Sequence, residues 1–506
     1  MKKISLLLSL ALLMMALFVC MIACSSDDTD GADGDETEEI VGVEGLLFEL
    51  STDGTSYAIA SMGYCNAKEI TLPTEHEGKP VKYILEGTFK NSDIEKVVIP
   101  EGYVMAYIRA FEGCTSLKTV ELPKSFEGIT YEMFKGCTSL TNITIPDGAT
   151  YIEESAFYGC TALTEIVIPD SVTYLGSEAF AYCSALKNVT LGNEICYFSS
   201  SAFERTPVES DPAGEVDGVH YIGNYAVYAD KDKLPEELTL REGTVGLVSN
   251  LFANSAKLKK VVLPEGVAFI GSRAFNDCIS LAEVVVPDSV QSIGYEAFYS
   301  LPDSVYTKVG NDWYVGNHLV RVSRQSASAV TVRNGTISIA EGAMSGSIDS
   351  LNLPASLKYM SLGFSTNVQY LGGITVAEGN ENFKVVDNVL YTMDGKTLIA
   401  CASTNQGVLK ILDTVETIGG DMFCAFYNCK VTGLVLPKTV KYVNGSVFSK
   451  LQKVYYCGTA DSYKYVEGAS DAWGSNRNGH TYYYSETKPE NRGSYWHYVD
   501  GVPTAW

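Results

Sequence analysis

Five histidines and thirteen cysteines are the side chains of this 506-residue chain best suited to hold a metal or attack a substrate. The histidines are His76, His220, His318, His480 and His497, and no two form an H-x-x-x-H or H-E-x-x-H pair. There is no C-x-x-C, G-x-S-x-G, G-x-G-x-x-G or Walker loop. Acidic residues are scattered, and an enzyme needs a positioned nucleophile, base or metal. The Asp-rich run behind Cys24 lacks the register and closing Glu of a calcium loop. The expectation is a protein with no catalytic residue, no metal and no cofactor.

Aromatic residues are the other candidates, with 32 Tyr in the chain. Tyr151, Tyr174, Tyr197, Phe269, Tyr359 and Tyr442 each fall five residues past one recurring position, usually proline. Tyr107 joins them through a two-residue insertion. The neighbouring slot (Ile152, Leu175, Phe198, Ile270) is apolar, so the Tyr slot is expected to face outward. Such a ribbon could be a stacking surface for glycan or for a partner's apolar residues. It could equally be cross-strand packing that stabilises a sheet. Residues 457–506 form a second aromatic cluster, read as a C-terminal cap or as a sugar platform.

These slots exist because the chain repeats. Phe111, Phe134, Phe157, Phe180 and Phe203 are each 23 residues apart, as are Pro100, Pro123, Pro146 and Pro169. Cys114, Cys137, Cys160 and Cys183 keep the same step, and Phe252, Phe275 and Phe298 resume it after a break. The unit is A-F-x-x-C-x-x-L-x-x-V-x-L-P-x-S-V-x-x-I. Leu163, Ile166 and Ile168 alternate as an inward-facing strand, and Pro169 ends it because it has no N–H to continue a ladder. One coil cannot bury these residues alone, so equivalent residues must stack. The expected fold is a β-rich solenoid of stacked leucine-rich repeats with inserted β-hairpins and terminal caps. The cysteines are expected to be small buried hydrophobes with free thiols, although neighbouring coils would bring them within disulfide reach.

The pattern resembles the BspA-type leucine-rich repeats of bacterial surface proteins over roughly residues 79–456. That resemblance implies a surface adhesin that binds host matrix proteins or other cells. Three period-breaking segments begin at Val216, Val309 and Val386, each with a second apolar run behind a Gly-Asn or Asp-Gly turn, and predict inserted hairpins. The expected organisation is residues 1–23 as signal peptide, 24–40 as lipidated Cys and acidic tether, and 41–78 as a hairpin cap. Repeats follow at 79–206, a hairpin insertion with a degenerate repeat at 207–250, and repeats again at 251–301. Degenerate repeats with two hairpins fill 302–456, and the cap closes at 457–506.

Met21-Ile22-Ala23-Cys24 resembles a bacterial lipobox, which implies lipidation at Cys24. Ser25-Ser26-Asp27-Asp28 resembles the signal that exports such lipoproteins to the outside of the outer membrane. The net charge of −24 argues against nucleic acid and anionic membrane surfaces. The expected partner is a protein or glycan ligand on a host or neighbouring cell, with the membrane touched only through the lipid. The alternative is a carbohydrate-capture lipoprotein of a nutrient uptake system.

Overall fold

A computed structural model describes residues 44–506 apart from 52–53, 323–327, 361–366, 420–425, 427–428, 444–447, 449–450, 460–461, 464–465, 467–478, 490–493 and 500–501. The signal peptide, Cys24 and the acidic tether expected at 1–40 lie outside the described residues. From Val41 to the C-terminus the chain is one unit.

Each coil supplies two short strands, which pair in parallel with their equivalents on the next coil. On one face Glu69–Thr71, Lys96–Val98, Thr119–Glu121 and Asn142–Ile143 form such a ladder. Glu165–Ile168 and Asn188–Leu191 pair likewise in a separate two-stranded sheet. On a second face Gly128–Ile129, Tyr151–Ile152, Tyr174–Leu175 and Tyr197–Phe198 pair in the same register. Helix among the described residues is confined to short turns such as Val208–Ser210.

The turn between the two faces carries Phe and Cys. The rings of Phe89, Phe111, Phe134, Phe157, Phe180 and Phe203 lie nearly parallel, with centroids 5.0–5.4 Å apart. That is close to the spacing between strands, about 4.8 Å, so each ring covers the next. Phe252, Phe275 and Phe298 form a second column. Each turn also has a left-handed residue two places after Phe. Gly113, Gly136 and Gly159 take it with φ of 71–73°, which glycine adopts without steric cost. Asn91, Asn254 and Asp277 replace glycine there, and so does Tyr182 (φ 61°).

The cysteines do more than fill space. Cys137 Sγ donates to the Phe111 carbonyl of the preceding coil at 3.2 Å, and Cys160, Cys183 and Cys278 repeat the contact at 3.0–3.2 Å. Burial pushes the Cys137, Cys160 and Cys278 thiols up, that of Cys278 to about 11, so their unreactive thiol form dominates. Ser255 occupies the same slot in the coil after the first hairpin, where no Phe precedes it, and its buried hydroxyl has no partner.

All three hairpins are present. Val219–Ile222 pairs antiparallel with Tyr225–Ala229, Asp312–Val315 with His318–Val322, and Val389–Thr392 with Thr397–Cys401. The second strand of each then pairs in parallel with the next coil, so a hairpin strand replaces a rung. A tyrosine clamps each one. The Tyr221 hydroxyl accepts from the backbone of Arg241 (3.2 Å), Tyr314 from Arg333 (3.1 Å) and Tyr391 from Leu412. Both arginine side chains lie 4.3 Å over the ring they cap.

The apolar interior is not one continuous filling, as stacking alone would suggest. The main core runs from Leu46 to Ala402, and a second runs from Val389 to Val466. The third hairpin separates them. Leu390 and Ala400 face the first core, whereas Tyr391 and Leu398 face the second, because successive strand residues point to opposite sides. Beyond residue 456 the motif stops but the ladder does not. Lys453–Tyr456 pairs in parallel with His480–Tyr484, that strand with Tyr495–Val499, and an antiparallel partner, Val502–Ala505, ends the sheet.

Phe157→Ala should cost about 3–5 kcal/mol, because the ring is fully buried between two others. Val167→Ala, on an outward strand position that is 61% exposed, should stay within about 0.5 kcal/mol. Denaturant unfolding of both variants measures the contrast. His318 gives a pH test. Its Nε2 meets the Pro287 carbonyl at 3.0 Å and Nδ1 meets Ser338 Oγ at 2.8 Å, and burial lowers its pKa from the ordinary 6.5. The unfolded chain then binds the proton more readily, so stability should fall as pH drops below about 6.5. The melting temperature of His318→Gln should fall less between pH 7 and pH 5 than that of the wild type.

Candidate functional site

The two-residue strands determine where the tyrosines go. In each pair the second residue is buried, as at Ile152, Leu175 and Phe198, so the first faces away from the core. Tyr151, Tyr174 and Tyr197 are consecutive partners across three coils. The rings of Tyr174 and Tyr197 stack with centroids 4.6 Å apart and planes 7° apart, and the two residues are 38% and 40% exposed. Burial of the remainder is the main cause that pushes the Tyr174 hydroxyl up to about 12, and Tyr197 adds to it.

Tyr151 behaves differently because its neighbour is Gly128. A Cβ on Gly128 would lie 2.5–2.6 Å from the Tyr151 ring, so that ring lies over the bare backbone. The ribbon narrows to the Tyr174–Tyr197 pair, with Tyr151 half-buried beside it.

Phe269 and Tyr359 are not brought to this pair, whereas Tyr442 lies near enough to Tyr174 to help push its hydroxyl up. Phe269 pairs with Gly246 on one side and Ser292 on the other. It is buried, not outward, because its ring and that of Tyr225 close over the glycine. Half-buried Tyr359 pairs with Ser338, and exposed Tyr442 pairs with Thr417, each in a separate sheet. Tyr107 does not belong to the slot, since Met105 takes its register opposite Tyr83.

The strand face offers less. Its lysines and acids pair across coils, as in Lys96–Glu121 (3.0 Å), Lys259–Glu236 (2.7 Å) and Lys260–Glu283 (2.9 Å). Exposed pairs like these contribute little to stability and leave no stripe of one sign. The C-terminal aromatics pack around one buried ring, with Tyr498 and Trp506 left exposed. Trp496 is fully buried and donates Nε1–H to the Tyr456 carbonyl at 2.8 Å. Tyr455, Tyr484 and Tyr498 meet it edge-on. Among the described residues no three His, Cys, Asp or Glu side chains are grouped to hold a metal ion, and no helix is long and apolar enough to cross a membrane.

Sequence reasoning missed aromatics on the Phe-bearing turns. Tyr158 and Tyr182 lie 5.1 Å apart, and Tyr182 and Tyr299 are exposed. Tyr158 and Tyr299 sit one residue after Phe but Tyr182 sits two after, so no fixed spacing marks them.

The sequence matches the BspA type leucine rich repeat region, in six copies, over residues 82–210, 245–314 and 416–469, half of the chain. The chain belongs to that family. No protein of curated function matches it in sequence. Among solved structures it is similar to a leucine rich cell surface protein from Faecalibacterium prausnitzii (20% identity, 87% of this chain and 98% of that one, TM-score 0.30). A leucine-rich repeat protein from Bacteroides ovatus is 17% identical over 87% of this chain and 98% of its own (TM-score 0.31). The T. pallidum leucine rich repeat protein is 21% identical over 48% and 91% (TM-score 0.31).

Gly128→Ala should destabilise the protein by about 1–3 kcal/mol, the usual cost of overpacking. Pairing it with Tyr151→Ala should recover most of the loss. Thermal unfolding of the two single variants and the double variant provides the cycle.

Proposed function

We propose that this chain is a lipid-anchored bacterial surface protein that binds macromolecules through its repeat solenoid and performs no chemistry. Its ligand is a protein or glycan on a host or neighbouring cell, and it meets the membrane only through the lipid on Cys24, facing outward from the outer membrane. The observation that carries this is the exposed Tyr174–Tyr197 stack on consecutive coils. Two large, rigid aromatic side chains give contact area at low entropic cost. Family membership supports the same reading, since repeat solenoids present extended binding surfaces.

The stack favours a protein ligand over a sugar. Each ring spends one face on the other, so ring edges and hydroxyls are offered more than the open face a sugar would cover. At the C-terminus Tyr455 and Trp496 are buried and closed to the carbohydrate-capture alternative, which is left with Tyr498 and Trp506.

Tyr174→Ser with Tyr197→Ser should lower binding to immobilised matrix proteins at least tenfold, while the melting temperature moves by only a few degrees. Surface plasmon resonance and calorimetry measure the two. Unchanged binding beside a large drop in melting temperature would leave the tyrosines a structural role only.

A further inference from the structure

The hairpins interrupt the phenylalanine column: Phe203 ends one run and Phe252 begins the next. The replaced coil lacks a Phe-bearing turn, and a notch opens there. We propose that the notch beside the first hairpin is a binding site for a neutral saccharide. It is separate from the tyrosine face and does not depend on it.

The notch is a cleft of about 870 Å³, within the roughly 300–1,000 Å³ typical of small-molecule sites. Ser200, Glu204 and Arg205, from the last Phe-bearing turn, line one side. Glu215, His220 and Lys233 line the other. Glu215 lies between two partners there, with His220 Nε2 at 3.1 Å and Lys233 Nζ at 2.8 Å. Tyr228 packs against the His220 ring at 5.4 Å and is half exposed beside the cleft.

The three hairpins provide an internal comparison. The same cross-strand triple occupies equivalent positions in each. In the first it is Glu215, His220 and Tyr228. In the second it is Lys308, Trp313 and Arg321. In the third it is Val385, Leu390 and Ala400. The second hairpin packs its triple on itself. Lys308 and Arg321 lie 4.1 and 4.7 Å over the Trp313 ring, and the cleft beside that hairpin, which Arg321 lines without Lys308 or Trp313, holds only about 160 Å³. The third turns its triple into the main core. The fold thus accepts a cationic-aromatic or an apolar triple at this position. Polar residues facing open space in the first hairpin are not a requirement of folding.

Charge and hydrogen bonding select the ligand. Lys233 pairs with Glu215 and Arg205 approaches Glu204 at 3.9 Å, while Glu209 accepts only the Arg205 backbone N–H. The lining therefore leans negative and repels a phosphate or a sulfate, and no three of its side chains are grouped to hold a metal ion. It presents donors and acceptors side by side instead. Sugar hydroxyls donate and accept at once, and so satisfy both kinds. Tyr228 gives the apolar C–H face of a sugar ring a partner. His220 Nδ1 is buried with no hydrogen-bond partner, and a ligand hydroxyl that reached it would supply one.

The test uses the full chain on a glycan array carrying N-acetyllactosamine, maltose and mannobiose as neutral probes, with heparin tetrasaccharide and sialyllactose as acidic ones. Matrix proteins are spotted on the same slide. At least one neutral probe should bind, and the acidic probes should bind at least tenfold more weakly. Tyr228→Ala and Glu215→Gln should each reduce neutral binding tenfold or more. The triple variant Glu215→Val, His220→Leu, Tyr228→Ala should abolish it with the unfolding midpoint retained. Tyr174→Ser with Tyr197→Ser should leave it unchanged, and loss of matrix-protein binding in that variant reports on the other surface alone. Absence of neutral-glycan binding, acidic glycans bound as tightly, or binding that survives in the triple variant would overturn the proposal.

Discussion

A coil of about 23 residues cannot enclose its own apolar side chains, and every other feature of this protein follows from that. Leu163 and Ile166 have no core to enter except the one made by the same residues on adjacent coils. Stacking like on like forces identical spacing, because a ring offset by one residue would leave its partner uncovered. The phenylalanine column shows the constraint at its strictest, with six rings held at 5.0–5.4 Å. Each adjacent pair adds about 0.5–1.5 kcal/mol beyond its area burial. The Cys slot serves the same column. Its thiol bonds the carbonyl of the phenylalanine one coil back, so the side chain that packs also ties neighbouring coils.

Breaking the repeat therefore requires a substitute for stacking, and the hairpins supply one. A tyrosine hydroxyl accepts a backbone N–H of the following coil, and in two of the three an arginine covers the ring. Tyr225 and His318 complete the junction on the other side. Tyr225 accepts from the Ile195 backbone at 3.0 Å, and His318 bridges Pro287 and Ser338. These polar contacts are buried and specific, whereas the coils on either side are held mainly by apolar packing. The third hairpin goes further and serves as a wall between two cores.

Much of this was legible in the sequence because period is a global signal. The fold and the outward Tyr151–Tyr174–Tyr197 series came from spacing, and the hairpins from paired apolar runs around Gly-Asn and Asp-Gly turns. What failed did so for local reasons. Phe269 shares the slot of Tyr174 but is buried, because glycine on the next rung lets its ring collapse inward, and a slot number carries no information about its neighbour. Tyr107 was placed by an assumed insertion that the pairing of Tyr83 with Met105 contradicts. The thiol-to-carbonyl bond was invisible because it joins a side chain to backbone 26 residues earlier. The continuation of the ladder past residue 456 was hidden because the tail keeps the strands without the motif.

The same logic bears on where recognition can reside. A residue repeated on every coil is there to satisfy the stack, and its chemistry is shared by all coils. The strand face shows this, for several of its charges cancel in pairs between adjacent coils. Discrimination between ligands needs groups that occur once, held in a fixed geometry. Two places meet that condition. One is the short stretch where two tyrosines stack while their neighbours are glycine-backed or replaced. The other is the first hairpin, whose triple differs in chemistry from those of the other two hairpins at equivalent positions. In both, the solenoid acts as a rigid frame and the departure from the repeat supplies the information, so surface variation can accumulate there while the column beneath stays unchanged.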